Sequence, residues 1–410
     1  MRDKILETRR EKLSSVLENG CMLVVFAAKD DSFSFVQNNN FYYLTGLNTP
    51  EAILLMSKTK GILNTNLFIE RTIPERIVWD GAKMSKEEAQ EISKIDGVFY
   101  LDEFERVLAS QLSISHRLFL EMDAVKLYEP PTKNQFFAEQ IIKKNPSITI
   151  DNLAKLINPL RMKKDEWEVE QLKRAIEVTG LGIDNAYQNA RAGMFEYQVE
   201  ALIYNEMLMN GVRNWGFKPI VAGGKNAVTL HYGENNQKLQ ANKLLLLDVG
   251  ALYNNYSADI SRTFPIAKSF TKRQKEVYEE VLQVQKTIIN TVEPGITLKD
   301  LNQKTVELLT EALFRLKLIK DKSEVRNYYM HGVSHFLGMD THDVFWGDTI
   351  LEPGNIITVE PGLYIEKEEI GIRIEDDILV TESGGENLSI GIPKEVEELE
   401  EIRRKALEKK

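Results

Sequence analysis

Hydrophobic positions along the chain fall into two textures. Short apolar runs bounded by turn residues predict strands, and apolar residues spaced three and four apart predict helices. In the N-terminal part this pattern predicts a helix over Ile5–Leu17 and strands over Met22–Ala27, Ala52–Met56 and Asn66–Glu70. Helices are expected over Ser85–Ile95 and Tyr100–Gln111. The stretch FYYLTGLNTPEAILL, with Gly46 and Pro50, reads as a turn between strands. Its aromatic rings either pack in the core or bring Asn40 to Tyr43 to a substrate cleft. Trp79, in RIVWDG after an expected strand, is either a binding anchor or a half-buried surface residue. Residues 151–164 turn polar and basic, and the Asn158-Pro159 pair favours an extended or turning backbone. The expected boundary therefore separates an α/β domain, residues 1–158, from a second domain, residues 159–410.

The second domain opens with a helix capped by Asp165, with Glu168 as capping-box partner and Val169, Leu172, Ile176 and Ile183 at helical spacing. Tyr197–Met209, Lys272–Val292 and Thr297–Arg315, the last capped by Thr297, continue the helical pattern, and Pro393–Lys410 reads as a closing helix. Between the helices lie hairpin patterns, so the domain reads as α+β rather than doubly wound.

Two of these hairpins carry acids. In LLLLDVGALYNNYSADISRTFP, four leucines lead into Asp248, and a hairpin centred between Tyr253 and Asn254 places Asp248 opposite Asp259. In IITVEPGLYIEKEEIGIRIEDDILVT, a hairpin centred on Lys367 and Glu368 places Glu360 opposite Glu375, unless the Pro361-Gly362 step shifts the register by one. Directly opposed like charges are destabilising. Two hairpins that each present facing carboxylates are the pattern of a site holding two divalent metals about 3.5–4 Å apart.

Four of the five histidines fall in the second domain: His231, and His331, His335 and His342 within HGVSHFLGMDTHD. Three so close together are hard to explain as packing. His331 and His335 have the spacing of a helical zinc motif, but no Glu follows His331, so the HExxH reading fails. The Gly-Gly before His231 lacks the Lys-Ser/Thr of a phosphate loop. A formal net charge of −10 argues against nucleic-acid or anionic-membrane partners. No apolar run approaches a membrane span, and the charged start predicts no signal peptide. The single cysteine, Cys21, reads as a buried strand start and fits the reducing cytoplasm.

The ordered set His231, Asp248, Asp259, His335, Glu360, Glu375 resembles the pita-bread metallopeptidases, most closely the Xaa-Pro aminopeptidases (aminopeptidase P). The strings VAGGKNAVTLHY, LLLDVGALYNNYSADISRTFP, HGVSHFLGMDTHD, TVEPGLYI and GIRIEDDILVT carry the resemblance over most of residues 160–400. FYYLTGLNTPEAILL and RIVWDG carry it more loosely in the first domain. It implies a pita-bread (creatinase/aminopeptidase-like) catalytic domain behind a smaller N-terminal α/β domain. The implied ligands are Asp248, Asp259, His335, Glu360 and Glu375, with Asp259 and Glu375 bridging two ions. Four carboxylates and one imidazole suit Mn²⁺, with Co²⁺ or Zn²⁺ as alternatives.

The implied reaction is hydrolysis of the bond between an N-terminal residue and a following proline, by a hydroxide bridging the two metals. By the same resemblance Glu360 is the general base, and His231 and His342 bind the carbonyl and its tetrahedral intermediate. His331 and Tyr364 line the site. Arg373 pairs with a metal-site aspartate, although a structural ion pair serves as well. Asp340 and Asp343 are expected to fix loops or orient ligands. Trp79 is the candidate to reach a neighbouring subunit's site, which implies a homo-oligomer, dimer or tetramer. Two departures stand out: Asn40, where relatives carry an acid, and VFWGD after His342-Asp343. A prolidase shares every ligand; Ser334 and MDTHD favour the aminopeptidase. A methionine aminopeptidase is disfavoured by the additional N-terminal domain and the non-metal creatinase branch by the intact ligands; a catalytically silent binding member of the fold is a further alternative.

Overall fold

The computed structural model describes residues 2–30, 35–122, 128–347 and 350–408. Asp348, which ends the VFWGD stretch, lies outside them. Two compact units divide within a helix, at Arg161/Met162. Asn158 and Pro159, expected to extend or turn, lie inside that helix, Ala154–Met162.

The first unit is built on a six-stranded sheet. Its strands are β1 (Cys21–Phe26), β2 (Ile53–Thr59), β3 (Ile62–Ile69), β4 (Gly97–Tyr100), β5 (Arg117–Leu120) and β6 (Thr149–Asn152). Their order is β4-β3-β2-β1-β5-β6. The central pairs β1/β2 and β2/β3 are antiparallel, and the outer pairs are parallel. Parallel neighbours need crossovers, and helices Lys86–Ser93 and Lys133–Lys144 lie in the chain between β3 and β4 and between β5 and β6. Cys21 is buried at the start of β1.

The aromatic stretch is a helix, Asn39–Thr45, rather than a turn between strands. Asn38 caps it by accepting from Phe41 N at 2.8 Å, and Gly46 ends it in the left-handed region at φ 67°. Arg9 and Arg10 of the first helix donate to the carbonyls of Tyr43 and Leu44, which its last turn leaves unpaired. Phe41, Tyr42 and Tyr43 are buried, which is the core reading. Asn40 is held by Glu121 and Arg161 of the same unit. Trp79 follows no strand: it lies on the short helix Ile77–Asp80, 84% exposed.

In the second unit, Asp165 and Glu168 form the expected reciprocal cap of helix Glu166–Asn189, and Thr297 caps Leu298–Arg315. Helices Glu196–Met209, Lys272–Ile289 and Val396–Glu408 complete the helical set read above. The strands are β7 (Asn214–Trp215), β8 (Ile220–Gly223), β9 (Leu244–Val249), β10 (Ala251–Tyr253), β11 (Tyr256–Ser257) and β12 (Ile260–Pro265). They continue with β13 (Ile356–Val359), β14 (Gly362–Ile365), β15 (Ile370–Arg373), β16 (Asp376–Thr381) and β17 (Gly384–Asn387). They form sheets ordered β11-β10-β7, β12-β9-β8, β13-β16-β17 and β14-β15.

The first acid-bearing hairpin corrects the expected register. Tyr253 pairs with Tyr256 and Asp248 with Ser261, so Asp259 is not opposite Asp248. A two-residue hairpin turn of this kind needs positive φ at both central positions. Asn254 and Asn255 supply it at 48° and 64°, where a bulky Tyr253 is strained. Moving the turn by one residue moves each partner by two, so Asp259 and Ser261 keep the same face. The two aspartates are diagonal neighbours.

The second hairpin has the expected register. Gly362 pairs with Arg373, and Val359 pairs with Asp376 on the far side of the interruption, so Pro361-Gly362 introduces no slip. Glu360 and Glu375 occupy the interruption, where the strands part to find other partners. Glu360 N donates to Val333 O at 2.9 Å and Glu375 N to Ser261 O at 3.1 Å.

Two buried groups lock the hairpins together. The Thr263 hydroxyl bonds both the carbonyl and the N–H of Arg373. Arg262, fully buried, donates to Asp376 Oδ1 at 2.7 Å and to the carbonyls of Ser261 and Glu375. Breaking such a pair leaves an uncompensated buried charge, which costs about 3–5 kcal/mol.

Candidate metal and active centre

Five acid and imidazole groups from separate elements meet on the wall of one cavity of about 540 Å³. Asp248 comes from β9, Asp259 from the step between β11 and β12, and Glu360 and Glu375 from the interruption of the second hairpin. His335 comes from the irregular segment before β13, so its spacing to His331 is not that of a helical motif. Ligand atoms of Asp259, His335 and Glu375 all lie within 4.8 Å of one another. His335 Nε2 is 3.3 Å from Asp259 Oδ2 and 3.8 Å from Glu360 Oε1. The other ring nitrogen, Nδ1, lies 3.0 Å from the Phe336 carbonyl. A carbonyl only accepts, so Nδ1 carries a proton and Nε2 is the ring atom turned toward the acids.

The electrostatics of the cluster call for a cation. Burial, and then the charge of Asp248, hold the Asp259 carboxyl well above its usual range. Burial and Asp259 do the same to Glu375, and burial pushes Glu360 up to about 7. Among the described residues Arg373 is the one permanent cation bonded to the group: it reaches Asp248 Oδ2 at 2.6 Å. The buried Asp248 Oδ1 has no hydrogen-bond partner among the described residues. Excess acid, an imidazole nitrogen aimed inward and an orphaned oxygen fit divalent metal ions.

A second chain of contacts orders the rim. Arg373 also donates to Ser261 Oγ and to the Tyr364 hydroxyl, each at 2.9 Å. Tyr364, having accepted from Arg373, donates to His331 Nε2 at 2.9 Å, and His331 Nδ1 donates to the Gly332 carbonyl. Burial and the nearby guanidinium push His331 down to about 4, so this ring is neutral near pH 7. His342 stacks edge-on against His335 with centroids 4.3 Å apart, and His231 lines the same cavity with its neighbours Leu230–Gly233. Trp79 is not among the lining residues.

Several residues that the sequence did not single out hold these groups. Ser261 donates to Glu375 Oε2 at 2.7 Å; its spacing of two from Asp259 was the available signal. Asp377 accepts from Asp259 N at 3.2 Å, and nothing local announces it. Asp343 does fix its loop: it forms an ion pair with Lys164 at 2.9 Å, both side chains 1% exposed. Asp340 is exposed; its carbonyl accepts from Gly338 N. Glu196 is fully buried and gathers four donors from the segment around His231, as detailed below.

The sequence profile of metallopeptidase family M24 matches residues 170–382, and that of the aminopeptidase P N-terminal domain matches residues 6–119. The chain belongs to metallopeptidase family M24 and is a metal-dependent exopeptidase. Within the family its likeness is to the aminopeptidase P branch. An Xaa-Pro aminopeptidase of Haemophilus influenzae is 32% identical, over 97% of this chain and 96% of that protein. A candidate aminopeptidase P from Bacillus anthracis superposes with TM-score 0.96 at 41% identity, covering 99% of both chains. Aminopeptidase P from Escherichia coli, with the inhibitor Pro-Leu, superposes with TM-score 0.92 at 31% identity, covering 100% of this chain and 99% of that one. The pita-bread architecture expected from the acid and histidine strings is therefore present, behind the expected N-terminal domain.

Proposed function

We propose that the chain removes the N-terminal residue from peptides with proline at the second position. The observation that carries this is the convergence of Asp248, Asp259, His335, Glu360 and Glu375 on one cavity, in a chain of the M24 family. These five residues would hold two divalent ions, with Mn²⁺ the best match to four carboxylates and one imidazole. Bound there, the ions supply an activated water and polarise the scissile carbonyl.

The protein's own residues do the rest. Glu360, at the edge of the ligand cluster, takes a proton from the attacking water and delivers it to the leaving nitrogen. That delivery matters here because a proline imide has no N–H and must leave as a secondary amine. His231 and His342 bind the carbonyl and the negative charge it develops. His331, neutral and bonded to Tyr364, offers an uncharged wall for the pyrrolidine ring. Arg373 holds Asp248 in place. The exposed Trp79 indole is the group a second copy would receive in a homo-oligomer, and the single buried thiol suits a cytoplasmic protein.

The test compares Xaa-Pro, Xaa-Pro-Yaa-Zaa and an otherwise identical peptide lacking proline, with Mn²⁺ present. Release of the first residue from the tetrapeptide, with little turnover of the other two, is the expected result. Preference for the dipeptide identifies a prolidase instead. Comparable rates without proline overturn the specificity.

A further inference from the structure

Two permanent cations line the cavity among its described residues, Arg373 and Lys218. Arg373 is engaged with Asp248, Ser261 and Tyr364. Lys218 is not engaged: it has no hydrogen-bond or ion-pair partner among the described residues. The residue is exposed at the cavity wall. Pro219 follows it, which confines the Lys218 backbone to extended conformations. Its stem lies along Gly233, two residues past His231. A Cβ at 233 would come within 2.8 Å of Lys218 Cε and Nζ and 3.1 Å of Cδ, so the outer part of the lysine lies directly against this glycine.

A peptide entering this cavity brings an ammonium at its N-terminus, which a lysine repels. The groups a lysine attracts are the C-terminal carboxylate and the side chains of Asp and Glu. We propose that Lys218 binds a substrate carboxylate beyond the proline, and so makes the enzyme favour Xaa-Pro-Yaa tripeptides with a free C-terminus, or longer peptides with an acidic residue after the proline. This rests on the reading of the site as one for proline peptides. A lysine that merely offset the acids would change the rate on every substrate alike, whereas a carboxylate contact changes the ratio between substrates that differ only in that group.

The experiment therefore measures ratios. The kcat/KM values for Xaa-Pro-Yaa and its C-terminal amide are compared in the wild type, Lys218→Met and Lys218→Arg. A second pair, tetrapeptide amides with Glu or Gln at the third position, reports on the side-chain source. In the wild type at least one pair should favour the carboxylate about tenfold, mostly through KM, as expected for a charge-assisted hydrogen bond. Lys218→Met should bring that ratio near one, and Lys218→Arg should keep it. The pair that responds names the source. Ratios that are the same in Lys218→Met as in the wild type sink the proposal. If the wild type cleaves none of these peptides, the proline-peptidase reading fails instead. Calorimetric binding of Pro-Ala and Pro-Ala amide to the manganese-loaded protein then still tests Lys218. An exposed lysine should leave thermal unfolding unchanged, which separates lost recognition from misfolding.

Discussion

Arg373 lies 2.6 Å from Asp248 Oδ2 with both side chains largely buried, 5% and 14% exposed. The guanidinium thus takes one oxygen of an expected metal ligand and leaves the other free. Its remaining nitrogens reach Ser261 and Tyr364, so one planar fork aligns β9, β12 and β14. Arg373→Met should lower kcat/KM with Mn²⁺ about 100-fold, corresponding to roughly 3 kcal/mol for an unpaired buried partner. Lys keeps the charge but cannot make the fork's three directed bonds, so Arg373→Lys should recover only part of the loss in the same assay.

Asp259 has three acid neighbours, Asp248, Asp377 and Glu360, and faces His335 Nε2. Asp259→Ala should abolish hydrolysis and reduce the metal retained after dialysis, read by elemental analysis. His116, the histidine of the first unit, packs against Gly20. His116→Ala should leave kcat and KM unchanged, and a large kinetic effect there would contradict the assignment of chemistry to the second unit.

The raised carboxyls make metal binding and pH interdependent. Glu360 titrates in the folded protein near 7, above its usual 4.5, so it binds protons more tightly folded than unfolded. Its contribution to stability is therefore full below about pH 4.5 and lost as pH rises through 7. Asp259 and Glu375, also raised, act in the same direction. Divalent ions require the ionised forms and release those protons. The gain in thermal midpoint on adding Mn²⁺ over chelator should therefore be large at pH 8 and shrink toward pH 5. The lowered His331 titrates in both samples and largely cancels from this difference. A gain independent of pH would contradict the cluster's role.

Glu196 begins a helix, where a negative charge is favoured. Its carboxylate accepts from Gly223 N, Asn226 Nδ2, the Tyr232 hydroxyl and Gln237 N at 2.7–2.9 Å. All four donors flank His231. Glu196→Gln puts an amide N–H₂ against donors and should lose at least about 2 kcal/mol of stability. The kcat/KM should fall while metal content stays at the wild-type level, because no expected metal ligand sits on that segment.

Much of the site was legible in the chain. The Glu360/Glu375 register follows from one hairpin and its polar loop, a relation between near neighbours. The caps at Asp165 and Thr297 are likewise local. The first hairpin was misplaced by a step because the turn could be centred on Tyr253-Asn254 or Asn254-Asn255, and only backbone sterics choose between them. The helix Asn39–Thr45 has local caps in Asn38 and Gly46, but at seven residues it is too short to show a helical period, and Gly46 reads equally as a turn.

The sequence by itself determined which residue types are available for the chemistry, and in what order: four acids at strand ends, a histidine cluster, and an asparagine pair able to turn. Tertiary structure alone decided that Arg262 would join Asp376, that Lys164 would join Asp343 and that Lys218 would line the same cavity as the acids. Local pattern reflects the geometry of one helix turn or one strand pleat. Contacts between residues far apart in the chain depend on how whole elements pack, which no short window of sequence contains.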